Sequence, residues 1–207
     1  MNKTYSYDDV LLVPQFSDIR SRSEINISTD LGKGVRLQLP IFASPMDTIS
    51  EGAMGTAMGK VGASAIIHRY STIQEQMNEI NKVESPCVIG AAIGISGDYL
   101  ERASALVDHG ADFLCVDVAH GHHIMMKEAL YELRKLFGSD YHIMAGNVAT
   151  RTGINDLADW GADSVRCNIG GGSICSTRIQ TGHGLPGWQT IVECSMTDRD
   201  VKIIADG

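Results

Sequence analysis

Cys175 is the residue best placed to do chemistry. It stands in the stretch Gly170-Gly171-Gly172-Ser173-Ile174-Cys175-Ser176-Thr177-Arg178, beside two hydroxyls and an arginine. A thiol attacks as its thiolate, and nearby donors or positive charge favour that form. Three consecutive glycines allow a backbone path that side chains would forbid. Such a loop can turn its N–H groups toward an anion or its carbonyls toward a cation. The same residues also fit a glycine-rich turn around an inert cysteine, and spacing alone leaves the two readings open.

The elements that must position this loop follow a repeating pattern. Gly62-Ala63-Ser64, Gly110-Ala111-Asp112 and Gly161-Ala162-Asp163 each follow a helix-like segment and precede an apolar run. Each glycine sits where a helix C-cap glycine belongs. Further apolar runs begin at Ile41, Pro86, His142 and Val201. Helical segments are expected over Thr72 to Asn81, opened by a Thr72–Glu75 capping box, and over Asp98 to Asp108 and Ile124 to Leu136. Strands alternating with helices imply a parallel sheet with right-handed crossovers. About seven strands are expected, with polar and glycine-rich residues after their C-terminal ends. Groups at Ser44–Asp47, Asp117–His122, Gly146-Asn147 and the Gly170 loop follow almost every strand. An open doubly wound sheet would gather function at one switch point, so the pattern favours an α/β fold of the (β/α)8 TIM barrel type. The expected domain is a single catalytic barrel over residues 1–207. A closed barrel needs an eighth strand, so the sequence reads as a C-terminally incomplete barrel ending at its seventh strand.

Composition narrows the setting. The 207 residues carry a formal net charge of -8, which argues against non-specific nucleic-acid binding. No apolar run is long enough to span a bilayer, and the N-terminus lacks a signal-peptide core, so a cytoplasmic protein without membrane or nucleic-acid partners is expected. The five cysteines are odd in number and scattered, which suggests reduced thiols and not a disulfide framework or a zinc site. Cys87, Cys115 and Cys167 read as small buried hydrophobes, and Cys194 as a helical residue without a partner. His68 reads as a packed strand-end residue. No carboxylate or cysteine completes a zinc ligand set with His120, His122 and His123, and His183 reads as a solvated loop residue.

Together these segments resemble the IMP dehydrogenase/GMP reductase family of purine nucleotide enzymes. The resemblance spans nearly the whole chain. It rests on Tyr7–Pro14, Ser21–Glu24, Pro45–Thr48, Asp117–His122, Gly146–Thr150, Gly170–Arg178 and Ile204–Gly207. The family's loop is usually Gly-Pro-Gly-Ser-(Ile/Val)-Cys-Thr-Thr-Arg. Here Gly171 replaces the proline, Ser176 replaces the first threonine, and Asn168 stands where glycine is common.

The resemblance implies a covalent mechanism at purine C2. Cys175 would attack C2, and Thr177 would assist proton transfer. Ser173 would bind the phosphate of a purine 5′-monophosphate and Asp206 its ribose, with Ser44 and Met46 lining the nucleotide pocket. Asp117 and Asn147 would surround the nicotinamide of NADPH, or of NAD in the alternative reaction. Carbonyls of Gly170, Gly172 and Cys175 match a monovalent-cation site, with potassium as the ion. A homotetramer is implied as well. His68 runs through Arg69-Tyr70-Ser71 straight into a helix, and Thr181-Gly182 resembles the reductase pattern. The expected reaction is therefore NADPH-dependent conversion of GMP to IMP and ammonia. Oxidation of IMP to XMP is the alternative, and a non-catalytic nucleotide-binding protein is a third reading.

Overall fold

A computed structural model describes residues 3–207, so Met1 and Asn2 of the expected 1–207 domain lie outside the described residues. An extended leader reaches an antiparallel hairpin, β1 (Thr29–Gly32) and β2 (Val35–Leu37). The main sheet comprises β3 (Phe42–Ala43), β4 (Ser64–Ile67), β5 (Ile89–Ile93), β6 (Phe113–Asp117), β7 (His142–Val148), β8 (Ser164–Cys167) and β9 (Lys202–Ala205). These seven strands pair in parallel and in sequence order. Helices α1 (Gly52–Lys60), α2 (Ile73–Asn81), α3 (Tyr99–Asp108), α4 (Ile124–Phe137) and α5 (Arg151–Asp159) make the first five crossovers. The short α6 (Thr177–Thr181) and then α7 (Gly187–Ser195) make the sixth.

Alternation along each strand builds two cores. Ile67, Ala91, Leu114, Ile143 and Val165 face the helices and pack with Leu106, Leu130 and Leu157. Their neighbours Ile66, Ala92, Phe113, Cys115 and Met144 face the other way, where Leu31 and Val35 of the hairpin pack on them. Successive side chains point to opposite faces of a strand, and burial of both faces explains why these runs are almost wholly apolar. Phe42 on β3 and Ile204 on β9 both pack on this inner cluster. The first and last strands also flank one cavity of about 400 Å³. The sheet therefore curls around its inner core, in the strand order of a TIM barrel, with β3 and β9 facing each other unpaired.

Local signals explain the element boundaries. Gly62, Gly110 and Gly161 all adopt positive φ after their helices, as expected of cap glycines. The Thr72 hydroxyl accepts from Glu75 N at 3.2 Å, and Thr72 N donates to the Glu75 carboxylate at 2.9 Å, completing the capping box. The hairpin was not expected from the sequence. Its strands are too short to show alternation, although Gly32-Lys33-Gly34 is a turn signal between Leu31 and Val35. Cys87 departs from expectation, because it lies partly exposed in the loop before β5, which starts later than its apolar run. Cys194 departs too. It is buried and pairs with the Cys167 thiol across the α7–β8 contact.

His142 opens β7 at the floor of the inner core. It is fully buried, lies 2.8 Å from the Ser164 hydroxyl through Nε2, and meets Phe113 edge-on. Burial lowers its pKa to about 4. The unfolded imidazole protonates near its ordinary value of about 6.5. Between these values the unfolded chain binds the extra proton, so stability falls as pH drops from the upper value to the lower. Urea midpoints measured across this range should fall less steeply for His142→Gln than for the parent. Equal slopes would contradict this role.

Candidate active site

The C-terminal ends of the strands converge on a cavity of about 260 Å³. Asp117 reaches it from β6, Asn147 from β7 and Asp206 from the residue after β9. Gly170 and Cys175 reach it from the loop between β8 and α6, and Thr177 from the first position of α6. Five of the sequence-expected side chains thus share one wall system. Ser44 joins them through its hydroxyl, which donates to Asp206 Oδ1 at 3.1 Å. Ser173 is exposed and Met46 partly buried, and neither borders this cavity.

Arg166 organises the floor. Its Nη1 donates to Asp117 Oδ1 at 2.6 Å and its Nη2 to Asp206 Oδ2 at 2.9 Å, while the side chain is only 6% exposed. Burial opposes its charge, but Cys115, Asp206 and Asp117 outweigh that and raise its pKa. Asn147 Nδ2 donates to the same Asp206 oxygen at 2.5 Å. One guanidinium therefore joins the carboxylate expected at the nicotinamide to the one expected at the ribose. Arg166 was not singled out from sequence. Its only signal there is a charge inside the apolar run Ser164–Ile169, where a buried charge demands a partner.

Cys175 sits on a short turn, with its N–H donating to Gly172 O at 3.1 Å. Its pKa is lowered, first by the Thr177 hydroxyl and then by the Thr177 N–H, with smaller help from the N–H groups of Arg178 and Gly170. Donors aimed at sulfur stabilise the thiolate, which is what a nucleophile needs. Two of the three carbonyls expected to bind a monovalent cation, those of Gly170 and Gly172, are engaged by a side chain. Arg178 Nη1 donates to Gly170 O and, at 3.0 Å, to Gly172 O. A guanidinium thus takes the place of an ion on these two carbonyls. In this arrangement these two carbonyls face the Arg178 guanidinium.

The histidines have local work. His68 is buried, accepts from Tyr70 N at 3.2 Å and approaches Glu51 at 3.5 Å. His122 pairs with Asp156 at 2.7 Å and packs on Trp160. His123 caps α4 by accepting from Met125 N at 3.1 Å.

A parallel, barrel-ordered α/β sheet with a thiol of lowered pKa at its C-terminal rim points to the class of protein. The model of the IMP dehydrogenase / GMP reductase domain matches residues 4–207, and the chain belongs to that family. It is 27% identical to an inosine-5′-monophosphate dehydrogenase of Nitrosopumilus maritimus, with 98% of this chain and 69% of that protein covered. It is 31% identical to a GMP reductase of Mycoplasma mycoides, covering 99% of this chain and 64% of the relative. The crystal structure of an inosine 5′-monophosphate dehydrogenase from Legionella pneumophila superposes with a TM-score of 0.90 at 44% identity, over 99% of this chain and 62% of that one. The chain thus spans between 62% and 69% of the length of these three proteins.

Alkylation tests the thiol environment directly. With iodoacetamide and peptide mapping, the pH midpoint for Cys175 should lie below that of an ordinary thiol, about 8.5. Thr177→Val should move it upward. An unmoved midpoint would show that Thr177 does not activate the sulfur.

Proposed function

We propose that this chain carries the catalytic centre of an oxidoreductase acting at C2 of a purine 5′-monophosphate through a Cys175 adduct. The observation that carries the reading is the thiol with a lowered pKa on the same cavity as Asp206, Asn147 and Asp117. A purine C2 is a poor electrophile, so a soft thiolate is suited to it. Asp206 accepts from the ribose hydroxyls, while Ser44 and Arg166 fix its orientation. Ser173, with the loop N–H groups, takes the phosphate, and Met46 lies against the nucleotide. Thr177 donates to the Cys175 sulfur before attack and moves a proton at the leaving group afterwards. Asp117 and Asn147 would hold the nicotinamide end of NADPH, whose chemistry is hydride transfer.

Within this class we assign reductive deamination of GMP to IMP and ammonia. The support is the direct connection from β4 to α2, residues 68–72, together with the Thr181-Gly182 turn. In that turn Gly182 takes positive φ and the Thr181 hydroxyl donates to Thr177 O at 2.7 Å. NAD-dependent oxidation of IMP is the second reading, favoured by the 44% identity to the Legionella dehydrogenase. A homotetramer is part of the proposal, supported by the exposed apolar leader residues Leu11, Leu12, Val13 and Phe16. So is a reducing, cytoplasmic setting, supported by five free thiols.

Two steady-state assays test the assignment, GMP with NADPH and IMP with NAD. Ammonia release in the first, abolished by Cys175→Ala with nucleotide binding retained, is the expected result. Steady XMP formation in the second, without ammonia in the first, would make the protein a dehydrogenase. Normal turnover by Cys175→Ala would remove the thiol from the mechanism.

A further inference from the structure

We propose that Asn168 is the positioning residue of the Cys175 loop, acting as an interlocked pair with Gly171. Three bonds pin Asn168 between neighbouring strand ends. Its N–H donates to Val148 O at 3.0 Å, its carbonyl accepts from Asn147 Nδ2 at 2.9 Å, and its Nδ2 donates to Asp206 O at 2.6 Å. The residue is only 6% exposed. Its amide is held by the last of these bonds, on the wall of the cavity.

Gly171 lies against that amide. A Cβ at position 171 would stand 2.5 Å from both Nδ2 and Oδ1 of Asn168, and 2.8 Å from Cγ. A carbon there requires the Asn168 amide to shift. Gly171 is also absent from the glycines with positive φ. Its backbone path is one that other residues adopt, so the contact with Asn168 is what demands glycine here. This explains the paired departures seen in the sequence. Positions 168 and 171 commonly carry glycine and proline in the resembling family, and here the bulk has moved from 171 to 168. Glycine at 171 leaves the room that the Asn168 amide occupies.

The arrangement has a cost and a consequence. Asn168 Oδ1 is buried with no partner among the described residues. A residue serving only to fill space would avoid that penalty. The consequence is positional. Asn168 seats Gly171, the next residue Gly172 accepts from Cys175 N at 3.1 Å, and that turn sets where the sulfur stands relative to Thr177. Because Asn168 is also tied to Asn147 and Asp206, the loop is referenced to both expected ligand subsites.

The test is a double-mutant cycle of Gly171→Ala, Asn168→Gly and the pair together. The functional reading of the loop rests on the Cys175 assignment, but alkylation requires no substrate and so separates the two. Gly171→Ala alone should raise the pH midpoint of Cys175 alkylation and lower kcat by about ten-fold or more, as overpacking does, with a smaller change in nucleotide KM. In the Asn168→Gly background the same alanine should change kcat by less than about three-fold, with the alkylation midpoint likewise nearly unmoved. Should Gly171→Ala alone fail to fold, recovery of folded protein in the double variant is the same expected result. Wild-type behaviour of Gly171→Ala overturns the proposal. So does an equal effect of the alanine in both backgrounds or, where Gly171→Ala alone fails to fold, a double variant that folds no better.

Discussion

The site depends on one buried charge. The Arg166 guanidinium lies between Asp117 and Asp206, at 2.6 and 2.9 Å, with its own side chain only 6% exposed. Removing one partner from such a group costs about 3–5 kcal/mol, because the remaining charge stays buried and uncompensated. The neighbouring strands are shaped around it. In register, Arg166 stands beside Gly146 on β7 and Ile204 on β9. A Cβ at Gly146 would lie 2.7 Å from Arg166 Cβ, so glycine at that place gives the arginine its seat. The ends of β6, β8 and β9 are tied together at the level where ligands would bind.

From this tie the division of labour follows. The inner core of Phe113, Cys115 and Met144, plugged from below by Leu31 and Val35, makes a rigid base. Rigid strands then present short polar side chains at their ends, and a glycine-rich loop brings the thiol to them. Precision comes from the strands and approach from the loop, as suits the proposed site for two ligands near one sulfur. The Arg178 contact with Gly170 and Gly172 holds the loop's carbonyls with a side chain of its own.

What was legible in the sequence was local. Cap glycines at 62, 110 and 161 and alternating apolar runs marked the crossovers, because helix ends and strand faces obey short-range rules. The Cys175 loop was legible for the same reason, since its thiol, hydroxyls and glycines lie within a few residues. Arg166 was not, because its partners lie 49 and 40 residues away and only the curled sheet brings them together. The Asn168–Gly171 contact was visible only as two unrelated departures from a pattern, until the distance between them was known. The Cys167–Cys194 pair likewise needed the packing of α7 on β8 to appear.

The central claim is that one guanidinium serves both the nucleotide and the cofactor side of the cavity. Calorimetric titration of Arg166→Met, a near-isosteric uncharged variant, tests it most directly, using GMP and NADPH separately and circular dichroism to verify the fold. The account predicts that both affinities fall together, each by about ten-fold or more, as expected when a charge-assisted hydrogen bond to each carboxylate is lost. A folded variant that loses affinity for only one ligand, or for neither, would contradict it.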